Sequence, residues 1–283
     1  MTSDGLTEAV VASFDGCGDE RLKAVMGALV RHLHAFAREV ELTETEYFAA
    51  IDFLTRTGQG CTDTRQEFVL LADVLGLSML TVGLAERKPV GATESTVLGP
   101  FFVEGSPEIA PGGDLANGAP GQPCLVIGQV LDTEGQPVAG AVVETWQADE
   151  DGYYDVQKET AEPQNRGHLT TGADGGYSFW SVKPVAYPIP TDGPVGELLR
   201  ATGRASMRPA HIHFMVTAPG YARLTTHVFA AGDEHLDNDA VFGVKPSLIA
   251  DFVNHPPGTP APDGTTPTRS YSTVHYNLIL APA

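Results

Sequence analysis

The sequence predicts an α+β protein, a helical N-terminal region followed by a predominantly β sandwich. Three observations carry that expectation. Apolar residues recur three and four apart through residue 85, a Pro- and Gly-rich stretch follows, and short β-branched or aromatic runs punctuated by turn residues fill the remainder. Composition places the boundaries at 1–87 for the helical region, 88–123 for a connecting segment and 124–283 for the sandwich.

The elements follow in order. Leu22, Val25, Met26, Leu29, Val30, Leu33, Phe36 and Val40 form one apolar stripe, which predicts an amphipathic helix over 20–40. Thr43 with Glu46 makes a capping box before Tyr47, Phe48, Ile51 and Leu54, and Gly58 and Gly60 supply a stop. Thr64 with Glu67 repeats the signal before Phe68, Val69, Leu71, Val74, Leu75 and Leu80, with Gly76 placed to break or bend this third helix. Segment 88–123 reads as a long extended connection, and a segment of that kind usually has a task. Residues 125–131 and 141–146, joined by a turn at Thr133-Glu134-Gly135, read as neighbouring strands. A second turn at 172–176 precedes Tyr177-Ser178-Phe179-Trp180, and further strands are expected at 211–218, 223–230 and 272–281.

Bulk properties narrow the function. At 283 residues, 42% hydrophobic and 19% charged, the chain has the composition of an ordinary folded protein with a large core. A net charge of -19 argues against nucleic acid and against anionic membrane surfaces, both of which require clustered Lys and Arg. Cys17, Cys61 and Cys124 are odd in number and scattered, so reduced thiols are expected. Met1-Thr2-Ser3-Asp4-Gly5 lacks a basic start and an apolar run, and no stretch is long enough to span a bilayer. The expectation is a cytoplasmic protein without membrane insertion.

The stretch richest in chemistry is Arg208-Pro209-Ala210-His211-Ile212-His213. Two imidazoles two residues apart on a strand face the same side, which supplies half of a metal site. No HExxH, no paired CxxC and no adjacent carboxylate completes it, but two tyrosines stand in unusual settings: Tyr154 after Gly152-Tyr153, and Tyr187 inside Val185-Ala186-Tyr187-Pro188-Ile189-Pro190. Taken singly, the histidines read equally as core or surface residues and the tyrosines as packing aromatics whose hydroxyls find a partner.

Order and spacing change that weighing. Gly152-x-Tyr154, Tyr187 in a Pro-rich turn and Arg-Pro-Ala-His-x-His together resemble the intradiol ring-cleaving dioxygenases, which hold a non-haem ferric ion with two tyrosines and two histidines. The resemblance covers essentially the whole chain. Ala92 to Phe101, Tyr187 to Pro194 and Asp239 to Lys245 are similar to the hydroxyquinol 1,2-dioxygenase branch. It implies Tyr154, Tyr187, His211 and His213 as ligands of one Fe(III) per subunit, with a small aromatic diol or triol and O2 as reactants. Tyr187 would be the ligand displaced by substrate and a base as well. Arg208 would hold positive charge beside the substrate ring, although it reads equally as the partner of an acidic neighbour.

Physical chemistry agrees with that ligand set. A phenol titrates near pH ~10 and binds metal as phenolate only beside a strong cation. Two phenolates and one hydroxide would balance three positive charges, leaving a neutral centre that tolerates burial.

Substrate-binding candidates are Leu70, Asp73, Val97, Gly99, Pro100, Ile189, Pro190, Arg208, His227 and Val241. Asp73 would accept a hydrogen bond from the third hydroxyl of a benzenetriol, or is merely a solvated or intrahelical polar residue. At His227 the sequence departs from the catechol branch, where glutamine is common; this histidine is either a donor supporting the site or a satisfied core residue. His32, His34, His168, His235, His255 and His275 lack ligand-like companions. The family also implies a homodimer through the N-terminal helices that can enclose a phospholipid tail. Catechol or a substituted catechol is the alternative substrate, and a non-catalytic β-sandwich module with packing or zinc-binding histidines is the alternative class.

Overall fold

In the computed structural model the described residues are 3–62, 65–85, 88–158 and 162–283. Thr64, the proposed cap of the third helix, lies outside them. Two compact units divide between Gln59 and Gly60.

The first unit holds helices α1 (Ser3–Ala12), α2 (Glu20–Glu39) and α3 (Glu44–Gln59). Composition gave no sign of α1; it packs on α2 through Thr7 Oγ1, which lies 2.9 Å from His34 Nδ1 and accepts from Arg38 at 3.1 Å. The Asp19 carboxylate caps α2 by accepting from the amides of Arg21 and Leu22. The Thr43–Glu46 capping box forms at the start of α3, with both reciprocal bonds present. Along α2 the apolar stripe remains open, Leu22, Leu33 and Phe36 each being about half exposed.

The second unit begins with α4 (Glu67–Val74) and α5 (Leu77–Ala85), bent by 78° where Gly76 takes φ +73°. These two helices therefore go with the β-rich unit, whereas composition grouped them in 1–87. The reason is burial, since α4 packs on α6 (Pro194–Ala201) and hides Leu70, Leu71, Asp73 and Val74. With Gln66 as N-cap, the first residue of α4 is Glu67. Its buried carboxylate accepts from Val195 N at the start of α6 and pairs with Arg65 at 2.9 Å. Among the described residues no single helix is long and apolar enough to cross a membrane.

The sandwich has two five-stranded sheets. In the first, β1 (Pro123–Asp132) pairs antiparallel with β4 (Gly176–Val182) on one edge; on the other it pairs in parallel with β11 (Tyr271–His275) and then β12 (Leu278–Leu280), and β10 (Val253–His255) flanks β11. The second runs β3 (Arg166–Thr170), β2 (Val142–Trp146), β7 (His211–Thr217), β8 (Leu224–Ala230), β9 (Ile249–Ala250). A separate ribbon joins β5 (Tyr187–Pro188) to β6 (Met207–Arg208).

One pairing expectation fails. β1 and β2 are consecutive but lie in different sheets, because both edges of β1 are already taken and the chain crosses the core after the Asp132–Gly135 turn, burying Val138 and Ala141 on the way. The short strands β5, β6, β9 and β10, the polar β3 and helix α6 were not expected; two or three residues carry too little periodicity to be seen.

Strand parity positions the site. Ile212, Phe214 and Val216 of β7 enter the core between the sheets with Val126, Val143, Phe179 and Val228. His211 and His213 therefore face the opposite side, as does His227, paired with His213 across β8. Residues 88–122, which lie outside the helices and strands, are laid along this outer face by bonds from Thr96 N to Thr225 O and from Thr226 Oγ1 to Glu94 O.

Candidate metal centre

Four donor atoms meet on that face. Tyr154 Oη lies 2.9 Å from His213 Nε2 and 3.0 Å from Tyr187 Oη, while His211 Nε2 lies 3.2 Å from His213 Nε2 and 3.4 Å from Tyr187 Oη. Donors bonded to one small cation at about 2.0–2.1 Å stand about 2.9–3.4 Å from each other, so this spacing is that of a coordination sphere. His211 Nδ1 sits 2.6 Å from Pro209 O, so it carries the ring hydrogen and Nε2 presents a lone pair.

The electrostatics fit a cation of high charge. Burial pushes the Tyr154 phenol well above its ordinary value, reinforced by Tyr187; burial also raises Tyr187, against the pull of Arg208. Burial, then the Arg208 charge, lowers His211 to about 3; burial and then His211 hold His213 well below its usual range. Both imidazoles are thus neutral, the state in which a histidine can bind metal. The phenols require a cation to ionise.

Local backbone geometry sets each ligand. The Asp149 carboxylate accepts from the amides of Asp151 and Tyr153, Gly152 takes φ +82°, and Tyr154 N donates to Gln157 Oε1 at 2.9 Å. A Cβ at Gly152 would stand 2.8 Å from Tyr187 Cβ, so glycine is needed both for its conformation and for the approach of the two tyrosines. Gly152→Ala should cost about 1–2 kcal/mol in backbone strain alone. Its iron content and its visible band, both tied to Tyr187, should also change; an unaltered band would show that Tyr187 does not depend on this approach. Phe101 stacks on Tyr154 at 4.5 Å between ring centroids, and Trp146 stacks on His213 at 4.7 Å.

Arg208 has the acidic partner that one of its readings expects, and it also reaches the cluster of donors. Its guanidinium pairs with Asp239, Nε to Oδ1 at 3.1 Å, and its Nη1 reaches His211 Nε2 at 3.2 Å. Asp239 also accepts from Gly243 N at 2.8 Å. Burial would raise its carboxyl, but the Arg208 charge and these bonds outweigh burial and hold it below the ordinary range.

Of the candidate pocket residues, Leu70, Val97, Ile189 and Val241 are buried, and Gly99, at φ +79°, comes so close to His213 that a Cβ would lie 3.2 Å from its Cε1. Pro190 is half-buried and Pro100 exposed. Asp73 is buried with its carboxyl raised by desolvation, against a hydrogen bond with Ser78 and the charge of Arg208, so it is not a solvated helix residue. His227 is fully buried, its ring 4.1 Å from that of His213. Among the described residues, the one grouping of three metal-capable His, Cys, Asp or Glu side chains is His211, His213 and His227. His34, His168 and His255 instead have Thr7, Ser106 and Thr273 as partners. The three cysteines are free, and burial lifts the Cys124 thiol to about 12.

Sequence reasoning missed Asp239, Thr96, Phe101 and Trp146 as parts of this site. Trp146 was accessible through parity, since Val143 faces the core and residue 146 must face away from it.

The low imidazole pKa values of His211 and His213 make the metal-free protein acid-sensitive. Between pH ~6.5 and about 3 the unfolded chain holds a proton on His211 that the folded chain does not. That histidine's contribution is complete above pH ~6.5, and each unit of acidification below it removes up to about 1.4 kcal/mol. Urea denaturation of chelator-stripped protein at stepped pH should show the fall; a flat profile from pH 7 to 5 would contradict it.

A family model described as dioxygenase matches residues 97–282, and one described as catechol dioxygenase N terminus matches residues 19–93. The chain is 61% identical over 255 residues to a 6-chlorohydroxyquinol 1,2-dioxygenase of Cupriavidus pinatubonensis, covering 90% of this chain and 92% of the relative. It is 55% identical over 278 residues to a hydroxyquinol 1,2-dioxygenase of Nocardioides simplex, covering 98% and 95%. The solved structure of a hydroxyquinol 1,2-dioxygenase from Pseudomonas putida superposes with a TM-score of 0.93 at 44% identity, covering 99% of both chains. With both family models together spanning most of its length and relatives of 55–61% identity over nine-tenths or more of it, the chain belongs to the intradiol ring-cleavage dioxygenase family, in its hydroxyquinol 1,2-dioxygenase branch.

Proposed function

We propose that this chain opens hydroxyquinol with O2, between the carbons bearing the 1- and 2-hydroxyls, to 3-hydroxy-cis,cis-muconate and its keto form maleylacetate, using one Fe(III) per subunit held by Tyr154, Tyr187, His211 and His213. The carrying observation is the convergence of two phenol oxygens and two imidazole nitrogens at 2.9–3.4 Å. When bound, ferric iron supplies the Lewis acidity that keeps the phenols ionised and draws electron density from a coordinated diol, so that its ring reacts with dioxygen.

The residues divide the remaining work. Tyr187 Oη would accept a proton from the incoming diol, while Tyr154, stacked on Phe101 and tied through its backbone to Gln157, would remain a holder of the metal. Arg208 presents a fixed positive charge beside developing negative charge on the ring, and Asp239 keeps that guanidinium aligned. Leu70, Val97, Ile189 and Val241 offer apolar walls. Asp73 accepts the third hydroxyl, which supports hydroxyquinol over catechol together with the names of the relatives above 50% identity.

Iron analysis with an anaerobic titration in the visible region tests the reading. Expected are about one iron per chain, a reddish phenolate-to-iron band that shifts on adding hydroxyquinol, and a higher kcat/KM for hydroxyquinol than for catechol. A colourless zinc protein would remove the enzyme class, and much faster catechol turnover would remove the branch's substrate. Asp73→Asn should lower kcat/KM for hydroxyquinol by roughly 10–100-fold, the worth of a hydrogen bond to a charged group, and leave catechol nearly unchanged.

The protein is also proposed to act in the cytoplasm as a homodimer through its N-terminal helical region, residues 1–87, with a phospholipid tail enclosed. The half-exposed Leu22, Leu29, Leu33 and Phe36 stripe of α2 supports this. Light scattering should give twice the chain mass and organic extraction should release phospholipid, whereas Leu29→Glu should give monomers.

A further inference from the structure

We propose that Thr96 is a positioning residue that holds His227 as the Nε2–H tautomer, so that this imidazole donates a hydrogen bond to a diol oxygen held at the metal centre. The inference rests on the reading of the site given under Proposed function. Thr96 Oγ1 lies 2.5 Å from His227 Nδ1, and both residues are buried, at 2% and 0% exposure. His227 Nε2 is buried and has no hydrogen-bond partner. The ring stands on the same sheet face as the two proposed histidine ligands, 4.1 Å from the His213 ring and 4.9 Å from that of His211.

Proton placement follows from what each atom lacks. A neutral imidazole carries hydrogen on one ring nitrogen and accepts at the other. If Nδ1 carried it, Thr96 Oγ1 would accept, and the threonine hydrogen would be stranded in the interior. Among the described residues Thr96 Oγ1 has no other hydrogen-bond partner. If the hydroxyl donates to Nδ1, both groups are satisfied and Nε2–H is left as a donor. A donor is also what the surroundings favour, because the centre gathers phenol and diol oxygens that bear negative charge when a cation is bound.

Thr96 is rigidly placed for this task. Its own amide donates to Thr225 O at 3.0 Å, two residues before His227, and Thr226 Oγ1 donates to Glu94 O at 2.7 Å. Segment 94–96 therefore runs along β8 as an added backbone strip, and the hydroxyl has little freedom to turn elsewhere. This accounts for part of the task of the long connection.

The test uses Thr96→Val, isosteric but without the hydroxyl, and Thr96→Ser, which restores it. In the iron-loaded full chain, Thr96→Val should keep the wild-type iron content and resting colour, bind hydroxyquinol anaerobically about 10-fold more weakly and shift the band of the complex. Thr96→Ser should match wild type in all four. Nitrogen-15 histidine NMR of the metal-free full chain should find His227 protonated on Nε2 in wild type and Thr96→Ser, and not fixed there in Thr96→Val. A His227 protonated on Nδ1 in wild type overturns the proposal, as does a Thr96→Val enzyme with unchanged hydroxyquinol affinity and spectrum, or one whose defect is loss of iron alone. Absence of iron from wild type would instead sink the proposed function, while the NMR result would still decide the tautomer.

Discussion

His213→Ala is expected to lower iron affinity by more than ~100-fold, beyond the loss usual for residues that merely support a ligand, and to abolish ring cleavage with it. Nε2 of His213 stands 2.9 Å from Tyr154 Oη and 3.2 Å from His211 Nε2. Its removal leaves two phenols that burial holds protonated and one imidazole, a set too weak for a trivalent cation. Dialysed protein should be colourless and free of iron by metal analysis. The same variant removes a buried imidazole that resists protonation, so the stripped protein should lose less stability than wild type between pH ~6.5 and 4. Stoichiometric iron with an unchanged band would rule out His213 as a ligand.

Arg208→Met should act on stability and catalysis at once. The substitution leaves Asp239 buried without its guanidinium, a defect that costs about 3–5 kcal/mol, or about 10 °C in Tm for a chain of this size. Loss of a fixed charge beside the ring should lower kcat by about 10²–10³-fold in whatever protein remains folded. Arg208→Lys is no rescue, since a point charge cannot fork to Asp239 and reach His211 together. The double variant Arg208→Met/Asp239→Leu separates the two roles, because it removes both buried charges and should regain most of the stability without the activity. Recovery of turnover in that variant would mean the charge does not serve the reaction.

The chain announces the parts of this site that obey a local rule. His211 and His213 are legible because strand periodicity puts them on one face, and the capping box at Thr43 because its residues are three apart. The two tyrosines carry no such rule; only their order relative to the histidines, and the family it resembles, singles them out. Asp239 was hidden because its pairing spans 31 residues and depends on how an irregular loop closes over Arg208. Thr96 was hidden for a similar reason, being 131 residues from His227. The misplaced β1–β2 pairing has another origin. A turn fixes that two strands are consecutive but not that they share a sheet, and the competitors for the edges of β1 lie near the end of the chain. Likewise α4 reads as one more N-terminal helix until α6, more than a hundred residues later, offers the face it buries against.

In β7 His211 and His213 face the candidate metal centre while Ile212, Phe214 and Val216 hold the sandwich shut. A slip of one position would carry Ile212 and Phe214 to the proposed metal centre and drive both imidazoles into hydrocarbon, so a misfolded chain could neither load metal there nor hide its polar groups. Correct folding and metal loading therefore reject the same errors, and colour in a purified sample reports that this strand has found its proper alignment.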